Sequence, residues 1–172
     1  MTRSFVRTLA LAIPLITYVP IPIDAQPAAP VCPVTAPNHH AAPLRSDPIP
    51  GSGSGWHGNT SVGTFLWTDG KVVFRPGGPG FVLADGSLKM KFFWLKTAGT
   101  RLAVSGHRLD DPAVTLRWEM SQAYDPKGFQ PSYLIFATPG CWKVTATAGA
   151  ETLEFVTDVV KIGAGPTSRR DR

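Results

Sequence analysis

The body of the chain is written in alternation. Leu88, Met90, Phe92 and Trp94 are separated by Lys89, Lys91 and Phe93, so an extended segment there has one apolar face. Val114, Leu116, Trp118 and Met120 alternate in the same way with Thr115, Arg117 and Glu119. Leu102 and Val104 do so with Arg101, Ala103 and Ser105, and Trp142, Val144 and Ala146 share a face within 141–147. Residues 133–136 form a short continuous apolar run, which predicts a strand buried on both faces.

Turn signals punctuate these runs. Residues 63–67 and 71–74 flank Thr68-Asp69-Gly70 and predict a hairpin. Phe81-Val82-Leu83 leads into a second Asp-Gly turn at Asp85-Gly86. Breaks follow at Ala98-Gly99, at Asp110-Asp111-Pro112 and over 121–132, which reads as a loop. Ala148-Gly149-Ala150-Glu151 closes a hairpin between 141–147 and 152–162. The spacing predicts an all-β fold of about seven or eight short strands, a sandwich or barrel. No helical stripe of useful length interrupts it.

The N-terminal third follows other rules. Arg3 and Arg7 precede an apolar stretch from Leu9 to Ile23, broken by Pro14, Pro20 and Pro22 and followed by Ala25. A basic start, an apolar stretch and a small residue are the order of a secretory signal, here residues 1–25. The stretch is too proline-rich to span a bilayer, and no later run is long and apolar enough, so the mature chain is expected to have no integral membrane span. Residues 26–58 are Pro-rich and then Gly/Ser-rich, ending in Gly51-Ser52-Gly53-Ser54-Gly55. They read as an extended arm and linker. The sandwich domain is placed at 59–163 and a basic tail at 164–172. The expected location is secreted or periplasmic.

Composition narrows the picture further. Charged residues are 17% and apolar residues 43%, with 17 Gly and 17 Pro among 172 residues. That excludes a coiled coil, while five Trp and nine Phe exclude wholesale disorder. Cleavage after Ala25 takes 17 basic and 12 acidic residues to 15 and 11, and Arg169, Arg170 and Arg172 supply much of the remaining excess. The tail is a solvated end; a nucleic-acid surface would need a basic face with interleaved aromatics.

The two cysteines, Cys32 and Cys141, form an even count in an exported chain and point to a disulfide. Lipidation of Cys32 is the competing reading, but Ala29 and Val31 stand where a lipoprotein wants a Leu-like and a small residue. Two cysteines so far apart make no zinc site.

Thr138-Pro139-Gly140-Cys141-Trp142-Lys143-Val144-Thr145-Ala146, a Gly-containing turn and Leu153-Glu154-Phe155-Val156 look like the last two strands of an immunoglobulin-like domain. The wider stretch 60–160 resembles a group of exported bacterial proteins with no assigned activity. The resemblance is carried by Gly80-Phe81-Val82-Leu83, Asp85-Gly86-Ser87-Leu88, Lys91-Phe92-Phe93-Trp94, Gly128-Phe129-Gln130, the Gly-Cys-Trp corner and Cys32-Pro33-Val34-Thr35. It implies an immunoglobulin-like antiparallel β-sandwich with an extended N-terminal arm, and it transfers no catalytic residue.

Catalytic and metal chemistry finds little support in the residues. His39 and His40 are adjacent in the Pro-rich arm, and no His lies beyond His107 to complete a copper site with Cys141. His107 with Asp110 or Asp111 makes a partial dyad, without a Gly-x-Ser-x-Gly elbow. Asp85, Asp110, Asp111 and Asp125 sit in turns, where Asp bonds local backbone. The 75–80 stretch is Gly-rich but lacks the ending of a phosphate loop. The expectation is a non-catalytic protein without a cofactor or metal, working by contact with a cell-envelope protein or a glycan. The alternative is a carbohydrate-binding module using Trp56, Trp67 or Trp94, and a hydrolase or metalloprotein centred on His107 ranks below it.

Overall fold

The computed structural model describes residues 31–38, 55–66, 69–97, 99–120 and 128–166. Among these there are ten strands and no helix: β1 Trp56–Gly58, β2 Val62–Phe65, β3 Lys71–Phe74, β4 Phe81–Val82, β5 Leu88–Lys96, β6 Leu102–Arg108, β7 Arg117–Met120, β8 Phe129–Phe136, β9 Gly140–Ala148 and β10 Glu151–Lys161. The expected signal segment, His39, His40, Trp67, Asp125 and the three arginines of the tail lie outside the described residues. No helix among the described residues is long and apolar enough to cross a membrane.

The strands form two sheets. One runs β1-β2-β5-β8-β7, with β4 also on β5, and the other runs β3-β10-β9-β6. The alternation seen in the sequence decides which side chains meet between them. Leu88, Met90, Phe92, Trp94, Leu134 and Phe136 of the first sheet join Val72, Phe74, Val104, Trp142, Val144, Phe155 and Val159 of the second in one buried cluster. Trp94 meets Phe155 at 6.4 Å and Phe136 meets Trp142 edge-on at 5.4 Å, so large rings from both layers fill the middle. This is a β-sandwich with its main core between the two layers.

One predicted hairpin is absent. Strands β2 and β3 do not pair; β2 lies antiparallel on β5, and β3 lies parallel on β10, with Val72 opposite Val159. Each strand has its own inward set, Val62 and Thr64 in one sheet and Val72 and Phe74 in the other, all fully buried. A hairpin would put both sets in one layer and leave the opposite wall of the core unfilled. Asp69-Gly70 is still a turn, with Gly70 at φ 65°. The expected loop 121–132 also gives way at its end: β8 begins at Phe129, and Gln130 and Ser132 continue the inward alternation of Leu134 and Phe136.

Cys32 and Cys141 are joined by a disulfide across a sequence separation of 109, with Cα atoms 5.4 Å apart. The bridge fastens residues 31–38 to β9. From there Thr35 donates its backbone N–H to Val156 O at 3.0 Å and accepts from Val156 N on its hydroxyl at 2.8 Å. Asn38 then donates its backbone N–H to Trp56 O and exchanges side-chain bonds with the Gly58 backbone. The arm therefore stitches the second sheet, through β9 and β10, to β1 of the first. Sheet structure also begins at Trp56, inside the stretch that reads as linker.

Candidate functional site

The outer face of the first sheet departs from what water favours. A solvated antiparallel face is normally polar. Here Phe93 of β5 stacks on Phe129 of β8 with centroids 5.6 Å apart, and the Lys91 ammonium lies 5.4 Å from the Phe93 ring. Beside them Trp56, Leu95 and Phe129 pack as a satellite cluster outside the main core. Phe93 remains 41% exposed. Further along, Lys89 sits 4.5 Å from the Tyr133 ring and bonds Glu119 at 2.6 Å. Alternation explains the arrangement: Lys89, Lys91, Phe93 and Leu95 are the outward positions of β5, because the inward ones are spent on the core.

Of the tryptophans anticipated as ligand contacts, Trp67 lies outside the described residues, and Trp56 and Trp94 stand away from the exposed outer face. Trp94 is fully buried, and its indole N–H donates to Ser132 Oγ at 2.8 Å inside the sandwich. Trp56 is 7% exposed, edge-on to Phe65 and packed with Leu95. Neither presents a ring face to solvent: Trp94 has the inward parity of its strand, and Trp56 is drawn into the satellite cluster. The exposed aromatic of this region is Phe93. Trp118 is half-buried against the main core, and Trp142 lies wholly within it.

In the candidate dyad, Asp110 is engaged by another partner. Both Asp110 oxygens bind the Arg108 guanidinium, which also donates to Thr138 Oγ1. That pairing holds the Asp110 carboxyl below its ordinary value. His107 lies in β6 opposite Lys143 of β9 and is bridged to Thr115. Asp85 is also held low, first by the Ser87 hydroxyl and backbone and then by Arg117. Glu154 is held low by Lys143, 3.0 Å away, and by Thr145. Among the described residues no three His, Cys, Asp or Glu side chains gather closely enough to hold a metal ion.

A concavity opens at one end of the sandwich. It has a volume of about 260 Å3 and is lined by Gly99, Thr100, Arg101, Leu102, Met120 and Gln130. The Thr100 N–H and hydroxyl both bond Thr97 O, which shapes the turn leading into β6. Neither Gln130 nor Arg101 carries a sequence signature of function. Gln130 was legible only as an inward position of β8 once the strand start was known.

No protein-family model matches the chain, and a search of curated proteins returns no significant match.

Proposed function

We propose that the protein is an exported, non-catalytic immunoglobulin-like domain that binds a cell-envelope protein through the outer face of its first sheet. The strand order supports the immunoglobulin-like assignment. Strands β7, β8 and β5 are neighbours in one layer and β6, β9 and β10 in the other, with the chain crossing between layers after β5, β6 and β8. The disulfide supports an oxidising compartment.

The observation that carries contact function is the Phe93–Phe129 stack under Lys91. An exposed apolar ring on an otherwise well-packed sheet, rimmed by cations and by the Lys89–Glu119 pair, has the make-up of an interface centre with a polar border. The test is co-sedimentation of the intact chain with envelope fractions of the bacterium that makes it. The wild type is expected to sediment, and Phe93→Asp to lose binding by about fivefold or more with an unchanged circular dichroism spectrum. A wild type that stays in the supernatant, or a variant that sediments equally, refutes the proposal. Retention on a purified polysaccharide instead of envelope protein would replace the partner with a glycan.

A further inference from the structure

We infer that the end cavity is a binding site for a small organic carboxylate with an apolar body and a hydrogen-bond donor. Three features converge on that chemistry. Gln130 is fully buried; its Nε2 donates to Pro131 O at 3.1 Å, but its Oε1 has no hydrogen-bond partner. A buried acceptor left unpaired is costly; Gln130 lines the cavity but has no surface open to it, so its carboxamide has to turn toward the cavity, a movement that a donor on the ligand would reward.

At the mouth, Arg101 is exposed and forms no ion pair among the described residues, although its chemistry suits a planar carboxylate held by two parallel bonds. The walls between are apolar. Leu102 is buried, and Met120 is 45% exposed at the last position of β7, a flexible thioether that adapts to a ligand's shape. Gly99 has φ 78°, and a side chain built on it would meet no described residue within 4 Å beyond its chain neighbours. The volume of about 260 Å3 far exceeds the room one water needs and lies just below the usual range for drug-sized ligands.

The site is separate from the outer aromatic face, so the two proposals fail independently. The test uses the full chain in a 1H–15N chemical-shift titration with three probes of one shape. These are 3-(4-hydroxyphenyl)propionate, 3-phenylpropionate without the donor, and the primary amide of the first without the charge. The hydroxyphenyl acid is expected to shift the backbone amides of Thr100, Leu102, Met120 and Gln130 in a saturable way. Both matched probes should bind about tenfold more weakly. Arg101→Gln, at an exposed position, should abolish the preference for the acid over its amide. Gln130→Leu should abolish the preference for the hydroxyl. If Gln130→Leu fails to fold, Met120→Trp, which blocks the mouth, should remove the shifts instead. Shifts scattered away from the cavity, no saturation, or equal affinity for all three probes would overturn the inference.

Discussion

Removing the disulfide is the perturbation whose size the structure sets most directly. In Cys32→Ser/Cys141→Ser no thiol remains to react, and the folded contacts of the arm are otherwise unchanged. The bridge spans 109 positions, nearly the whole distance from the arm to the penultimate strand. The chain-entropy model assigns a loop of that length about 4.8 kcal/mol at 25 °C. That figure is a ceiling, because hydrogen bonds among the described residues, joining Thr35 to Val156 and Asn38 to Trp56 and Gly58, hold the arm weakly once the bridge is gone. When they open, the native state regains some freedom. The expected loss is therefore about 3–4.5 kcal/mol, read by urea unfolding followed by tryptophan fluorescence. With a slope near 2 kcal/mol/M, the midpoint should fall by about 2 M. Hydrogen exchange at the Thr35 and Val156 amides should accelerate more than at Val144 in the core. A midpoint shift under about 0.5 M would show that the long loop does not restrict the unfolded chain as argued.

Trp94→Phe should cost about 2–3 kcal/mol, because it shrinks a filled core position and strands the buried Ser132 hydroxyl that accepted the indole N–H. Adding Ser132→Ala should recover about 1 kcal/mol of that loss; full additivity in a double-mutant cycle would refute the hydrogen bond's role. Asp85, Asp110 and Glu154 all have carboxyls held below their ordinary values in the folded state, so their contribution is fully present above pH about 4–5 and is lost as pH falls through the lower native values. Urea midpoints should thus decline from pH 5 to pH 3. The decline should shrink in Asp110→Asn, and added salt should blunt it because the pairs are exposed. A midpoint that rises on acidification would contradict these pairings.

Much of the architecture is legible in the residue pattern alone. Period-two alternation placed β5, β6 and β9 to within a few residues, since each strand turns one face to the core, and the turn at Gly149 placed β10. The even cysteine count anticipated the bridge. Failures came where local chemistry and tertiary context compete. The Asp69-Gly70 turn has the chemistry of a hairpin, yet the free edge of β10 took β3 as a parallel neighbour. Pro131 and the upstream glycine made 128–132 resemble a loop, while pairing with β5 held it as strand. Exposure was the hardest quantity to foresee. Phe93 and Trp94 are adjacent and both aromatic, and only strand parity, together with the second sheet closing over one face, decides that one is solvated and the other sealed.

By itself, then, the order of residues determined the layered β character, the inward tryptophan of β9, and a covalent tie from the arm to the body. These follow from short-range rules: side chains alternate in extended chain, glycine turns it, and proline forbids regular pairing. The sheet each strand joins, the arm's passage to β1, the aromatic outer patch and the end cavity with its unsatisfied Gln130 were decided only in three dimensions. Each depends on which distant edge or surface comes to lie alongside, and partners separated by up to a hundred residues leave no local trace in the chain.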